Sequence, residues 1–270
     1  MPPKPAFLGP RNAVVFEDPA VAAAYYHRPT YPPAVFEALR GLLPPPGDLR
    51  RRRVLDVAAG TGFLARPMVE FAERVDALDP SAAMIEVGRR QPNGDHPRLR
   101  WHLGSAENPP LAGPYELITI GDALHWLDWP VALPRLGRLL APAGWLALLS
   151  LEAEPPPWQA GLLELYRRFS TIRDYRPVDA VAEVERRGLF ERHGEHRPAP
   201  HPFTQPVDAY VESFHARSSL SRARLGPAAA AELDAAVRRL VVETGSGGTV
   251  TLQIVTRLVW GRPLDPGTPA

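Results

Sequence analysis

Residues Val54-Leu55-Asp56-Val57-Ala58-Ala59-Gly60-Thr61-Gly62 constrain the fold more than any other stretch. A short apolar strand, Val54 to Ala58, runs straight into a turn with two glycines, and a helical pattern over Leu64 to Arg74 follows. Glycine lets the backbone approach a ligand closely, and the N-terminus of the next helix favours anionic groups. Strand, glycine turn and helix in this order open a parallel α/β sheet.

The rest of the first half keeps the alternation. Before the turn, Pro19 to Tyr26 is a short Ala-rich helix candidate, and Arg28-Pro29-Thr30-Tyr31-Pro32-Pro33 is a rigid turn. Pro33 to Leu43 places Val35, Phe36, Leu39, Leu42 and Leu43 at helical spacing, and Pro44-Pro45-Pro46-Gly47 ends it. Val75 to Leu78 is a second strand ending at Asp79, and Ser81 is placed to cap a helix over Ala82 to Arg90. Leu99 to Leu103 and Leu117 to Ile120 are the third and fourth strands. A helix over Val131 to Leu140, a turn at Ala143-Gly144 and a fifth strand over Trp145 to Ser150 follow.

After Pro155-Pro156-Pro157 the pattern changes. Helices are expected over Trp158 to Thr171, Val178 to Arg187, Val207 to Ala216 and Pro227 to Val242. Phe190 to Phe203 is rich in Pro and His and reads as extended. Ser246-Gly247-Gly248 turns into an alternating strand over Thr249 to Trp260.

Composition removes several chemistries. The chain has no cysteine, so disulfides, thiolate nucleophiles and cysteine-held metals are excluded. Lys4 is its only lysine and lies in a proline-rich tail, Met1 to Pro10, so neither a Walker A loop nor a buried Schiff-base lysine is expected. A net charge of +1 over 270 residues gives no global attraction to nucleic acid or acidic membranes. The run Arg50 to Arg53 reads as a solvated linker, with a phosphate or RNA contact as its alternative. The N-terminus lacks an apolar signal core and no run is long enough to span a bilayer, so a cytoplasmic protein without a membrane partner is expected.

Two nucleotide-type cofactors suit the glycine turn. Gly60-x-Gly62-x-x-Ala65 satisfies the dinucleotide pattern literally. Asp56 argues against it: inside a buried parallel strand an unpaired carboxylate costs several kcal/mol. It needs partners, which the turn's own amides or a zwitterionic ligand would supply.

VLDVAAGTG resembles the first motif of class I S-adenosylmethionine (SAM)-dependent methyltransferases, Asp-x-Gly-x-Gly-x-Gly, with Ala58 where the family has its first glycine. Gly104-Ser105-Ala106-Glu107 resembles a later motif that reads the adenine edge, with Ser105 where many members carry Asp. Gly121-Asp122-Ala123-Leu124-His125-Trp126 resembles the branch with a His-Trp pair after the fourth strand, which includes small-molecule enzymes similar to trans-aconitate methyltransferase. Arg28-Pro29-Thr30-Tyr31-Pro32 resembles that branch's N-terminal segment.

The resemblance covers most of residues 25 to 150. It implies a Rossmann-like α/β fold: seven strands, mostly parallel, with an antiparallel C-terminal strand and a helical cap. Residues 1–150 would form an N-terminal lid and the SAM-binding core. Residues 151–270 would form the cap over the acceptor pocket and the last two strands of the same sheet, one structural domain overall.

SAM, with S-adenosylhomocysteine as product, would then meet Asp56, Ala58, Ala59, Gly60, Thr61 and Gly62 at the turn. Asp79 and Pro80 would grip the ribose, and Met84, Ser105, Ala106 and Glu107 would meet the adenine. Gly121 and Asp122, with Tyr26 and Arg28 of the lid, complete this set. Tyr25, His125, Trp126, Tyr210, Phe214 and Arg217 would line the acceptor pocket, with His125 as base or orienter. The alternative for Tyr210, Phe214 and Arg217 is simple core packing, and for His125 and Trp126 loop packing.

The implied activity is methyl transfer to a small-molecule acceptor by in-line displacement, without a metal. His193, His196 and His201 read as incidental surface residues. Two other functions compete: an NAD(P)-dependent oxidoreductase, and a SAM-fold protein that serves as a cyclase or binding module.

Overall fold

A computed structural model describes residues 4, 8–45, 52–174, 176–243 and 247–265. The strands are β1 (Arg53–Val57), β2 (Arg74–Asp79), β3 (Leu99–Leu103), β4 (Tyr115–Gly121), β5 (Leu140–Ala153), β6 (Phe190–His196), β7 (His201–Pro206) and β8 (Thr249–Pro263). They form one sheet in the order β3-β2-β1-β4-β5-β8-β6, and β7 also pairs with β8. β1 to β5 are mutually parallel, whereas β8 runs antiparallel to β5, β6 and β7.

This is the mostly parallel sheet with an antiparallel C-terminal strand that the resemblance implies, with eight strands instead of seven. The Pro- and His-rich segment supplies two of them. β6 pairs with the Leu258–Pro263 end of β8 and β7 with the Thr249–Ile254 end. They occupy successive lengths of one edge, so the sheet is seven strands wide at either level.

Helices cover both faces. On one, α3 (Pro33–Gly41) and α4 (Ala65–Met68) pack Val35, Leu39, Ala65 and Met68 against Val54, Val75, Ala77 and Leu117. On the other, α6 (Trp129–Leu139) and α8 (Ala180–Arg186) pack Trp129, Leu133, Leu136 and Val184 against Leu55, Val57, Leu78 and Ile118. Burial on both faces explains why the central strands read as unbroken apolar runs. Each large side chain so buried contributes about 1.5–3 kcal/mol. A separate cluster joins α7 (Gln159–Phe169), α9 (Val207–Ser213) and α11 (Pro227–Glu243) to Val250, Leu252 and Ile254 of β8.

Four local expectations change. The helix after the glycine turn is only α4; the chain continues as turns whose amides donate to the carbonyls of Pro67 and Met68. The Ala143-Gly144 turn lies inside β5, which starts as α6 ends at Leu139 and runs to Ala153. Lys4 is no loose tail residue: its Nζ donates to the Leu127 carbonyl at 2.8 Å and lies 5.0 Å from the centre of the Trp129 ring. Arg52 is buried, donating to the carbonyls of Pro44 and Phe71, so it is no solvated linker. Arg50, Arg51 and Ser246 lie outside the described residues.

Candidate active site

The C-terminal ends of β1 and β4 are adjacent, with β2 on the far side of β1. The crevice at such a switch point is where open α/β sheets bind ligands. The chain leaves β1 through Ala58, Gly60 and Gly62, which have φ of +53°, +55° and +80°. This left-handed backbone is free for glycine and strained for Ala58. At Gly62 a Cβ would stand 2.7 Å from the Trp101 ring, so the close packing there also requires glycine.

Two buried carboxylates flank the turn. Asp56 accepts from the Thr119 hydroxyl at 2.7 Å and the Ala65 amide at 3.1 Å. Burial pushes its pKa up to about 7, against those two bonds. Its partners therefore come from within the chain, one from the first turn of α4 and one from β4. Its burial alone does not separate the two cofactor classes. Asp79 ends β2 and accepts from the Gly60 amide at 2.7 Å and the Ser81 amide at 2.8 Å. Burial pushes its pKa up to about 6, against the same two bonds. Thr61 is buried, and its hydroxyl has no partner among the described residues.

The N-terminal segment lies over this turn. In α2 (Pro19–Tyr25), Val21 and Ala22 pack on Met84 of α5 (Ala82–Arg89). Tyr25 stacks on Phe63 and its Cε1 lies 3.7 Å from where Gly60 would carry a Cβ. The Ser81 hydroxyl donates to the Phe16 carbonyl at 2.7 Å. The Phe16 ring sits between Tyr25 and Trp126, at 6.1 and 5.8 Å. Tyr26 instead points outward, 42% exposed, against His27.

Arg28 pairs with Asp122 at 3.2 Å and lies over the Tyr25 ring. Asp122, itself at φ +54°, also accepts from the Leu151 amide. Burial raises its pKa, against the pull of Arg28. The Tyr31 side chain reaches Gly121, and burial holds its phenol well above the usual range. His125 packs on Trp126 with ring centres 4.4 Å apart. Burial, with Lys4 and Arg28 nearby, lowers its pKa to about 4.

The remaining predicted residues divide. Gly104 donates to the Asp79 carbonyl, which brings Ser105 and the buried Ala106 beside the end of β2, while Pro80 is exposed. Glu107 is spent on the loop before α6, accepting the Asp128 amide and, through its carbonyl, Arg135. Tyr210 and Phe214 are core residues of the cluster that joins α7, α9 and α11 to β8, Tyr210 accepting the Trp158 indole N–H. Arg217 lies over the Phe214 and Tyr166 rings and donates to the Ser213 carbonyl. His193 leans on Trp145 at the sheet surface, and His196 and His201 are exposed. Among the described residues no group of three or more His, Asp or Glu is placed to hold a metal.

Sequence reasoning misses Phe16, Phe63 and Thr119. Each acts through a tertiary contact: Phe63 follows the turn, but its stacking partner is 38 positions away, and Thr119 lies 63 positions from Asp56.

Residues 54–144 match the model of a methyltransferase domain family. An uncharacterized methyltransferase of Mycobacterium tuberculosis is 39% identical over 131 residues, 48% of this chain and 49% of that protein. A solved structure, a candidate type II methyltransferase from Anaeromyxobacter dehalogenans, superposes with a TM-score of 0.62 at 26% identity, covering 87% of this chain and 97% of that one.

Residues 54–144 are thus similar to a methyltransferase domain, and the fold is shared with a solved methyltransferase-like structure.

A ubiquinone/menaquinone biosynthesis C-methyltransferase of Rubrivivax gelatinosus is also similar, at 36% identity over 121 residues, 44% of this chain and 45% of that protein. The matches span about half the length of these curated relatives. The family match covers the core that carries the glycine turn. No helix among the described residues is long and apolar enough to cross a membrane.

Proposed function

We propose that this protein is a class I SAM-dependent methyltransferase that binds SAM across the glycine turn and transfers its methyl group to a small-molecule acceptor held between the N-terminal segment and a C-terminal helical cap. The observation that carries the reading is Asp79. Its carboxylate ends β2 and is fixed from behind by two backbone amides, with each oxygen keeping a further lone pair for a ribose hydroxyl. The open backbone at Gly60, roofed by the Tyr25 ring, fits an extended nucleoside ligand. Met84, Ser105 and Ala106 would meet the adenine. Thr61, Gly62 and Arg28 would face the amino-acid end. Tyr25 rests close to Gly60, so ligand entry displaces the N-terminal segment.

When bound, SAM supplies an activated sulfonium methyl that leaves its sulfur as a neutral thioether. The protein's task is positioning and exclusion of water. Phe16, Tyr25 and Trp126 form the apolar cover. His125, neutral above about pH 4, is a weak base and suits orienting an acceptor by accepting its hydrogen bond. Arg217 and Trp126 would serve the acceptor.

The test uses SAM labelled in its methyl group, incubated with the protein and a low-molecular-weight metabolite extract. Label recovered in a small molecule, dependent on Asp79, supports the reading. Bound SAM with no transferred label favours the cyclase or binding module. NAD(P)H binding in place of SAM favours the oxidoreductase.

A further inference from the structure

We propose a second ligand site, for a small phosphate-bearing anion, at the opposite end of the sheet from the glycine turn. It rests on a row of arginines across β1, β2 and β3. Arg53 of β1 pairs with Arg74 of β2, and Asp76 of β2 pairs with Arg100 of β3. Side chains two residues apart share a face of a strand. Arg53, Arg74, Asp76, Arg100 and His102 therefore lie on one face at the open edge of the sheet. Like charges on neighbouring strands oppose pairing. A folded chain tolerates such a row where counter-charge is supplied.

The counter-charge within the chain falls short. Asp76, fully buried, accepts from Arg74 at 2.8 and 3.0 Å, from His102 at 2.8 Å and from the Tyr115 hydroxyl at 2.9 Å. Arg53 reaches the same carboxylate at 3.9 Å. Arg53, Arg74, Arg98 and Arg100 line a groove of about 450 Å³ together with Glu73 and Pro97. Glu116 stands nearby, its carboxylate accepting the Arg53 backbone amide. Four guanidinium groups thus share three acids, Asp76, Glu73 and Glu116, and the cluster keeps a net positive charge.

The guanidinium groups are also held in place. Arg53 lies 4.8 Å from the Tyr115 ring centre and donates to the Ala112 carbonyl, while its buried Nε has no partner among the described residues. Arg98 donates to the carbonyls of Val69 and Ala72. Arg74 is gripped by Asp76 through Nε and one Nη, which leaves its other Nη without a partner among the described residues and open to a ligand. Arginine forks fixed from behind match phosphate oxygens with little further loss of side-chain freedom. The groove's volume and acidic rim suit a compact oligophosphate and not a long polymer. It sits where β1, β2 and β3 begin, and the glycine turn and Asp79 sit where β1 and β2 end.

The experiment is calorimetric titration with tripolyphosphate of the wild type and three variants: Arg100→Gln, Arg100→Glu and Arg239→Glu. Arg100 is exposed, so its replacement spares the core, and circular dichroism with a melting curve verifies folding. Arg239, exposed on α11, controls for net charge. The proposal expects saturable binding that weakens about tenfold in Arg100→Gln, the worth of one charge-assisted bond. Arg100→Glu weakens it further, and Arg239→Glu leaves it unchanged. Absence of saturable binding by the wild type overturns the site. So does equal weakening by Arg100→Glu and Arg239→Glu, which marks diffuse attraction. A single-stranded oligonucleotide that binds more tightly than tripolyphosphate, through Arg100, overturns the small-anion assignment.

Discussion

The Tyr31 hydroxyl stands 2.7 Å from the position a Cβ on Gly121 would occupy, and Leu64 Cδ1 is equally close. The end of β4 is thus shaped around a phenol from the N-terminal segment, next to the Arg28–Asp122 pair. Gly121→Ala has to displace both Tyr31 and Leu64. Overpacking of this kind costs about 1–3 kcal/mol. The variant is expected to unfold at lower denaturant and to bind SAM more weakly. A variant matching the wild type in both would show that the contact is easily relieved.

Ala58 gives a prediction of opposite sign. Its φ of +53° is left-handed, which costs an L-residue about 1–2 kcal/mol. Glycine removes that strain but adds freedom to the unfolded chain, worth about 0.4–1 kcal/mol. Ala58→Gly should therefore raise stability by up to about 1.5 kcal/mol, read as a shift in denaturation midpoint at constant slope. A lower midpoint would mean that the methyl packs usefully.

The N-terminal segment is expected to matter to ligand binding. Phe16 bridges Tyr25 and Trp126, and its carbonyl is held by Ser81. Phe16→Ala, and deletion of residues 1–30, should each weaken SAM affinity about fivefold or more, the loss of one well-packed aromatic contact. Unchanged affinity in the deletion would sink the lid.

His125 should lack the pH signature of a general base near neutrality. With its pKa at about 4 it is already neutral at pH 6 to 8, so no limb of the kcat profile near 6.5 should vanish on its replacement. His125→Ala is expected to slow turnover while leaving SAM affinity intact. Full turnover in that variant removes His125 from the chemistry.

Asp56 makes stability pH-dependent. Its folded pKa of about 7 lies above its ordinary 3.8, so between these values the folded state holds a proton that the unfolded state has lost. Its contribution to stability therefore falls as pH rises from about 4 to 7 and is flat above. His125 acts in the other direction over about pH 4 to 6.5, because the unfolded state holds its proton there. Subtracting the curve of Asp56→Asn isolates the first effect. Wild-type stability minus that of the variant should decline with pH through this window. A flat difference would mean that Asp56 is ionised throughout.

The parallel core was legible because its strands are buried on both faces and read as apolar runs, and because the glycine turn and Asp79 mark where two of them end. Ser81 was legible as a cap for the same reason: capping is decided within three residues, and it accepts the Met84 amide as expected. The rest depends on contacts that sequence spacing does not encode. The length of β5 is set by its pairing with β8, the β6–β7 division by the two ends of that strand, and the partner of Asp56 by the register of β1 on β4. Tyr210 and Phe214, on and just after α9, do point the same way as their spacing implies, but into the core of the cluster formed with α7, α11 and β8.

The most direct test is calorimetric titration of the purified protein with SAM, S-adenosylhomocysteine and NAD(P)H, beside Asp79→Ala. The account predicts micromolar binding of the first two, loss of both in the variant, and no binding of NAD(P)H. A folded, ligand-free wild type that binds neither SAM nor S-adenosylhomocysteine would contradict it.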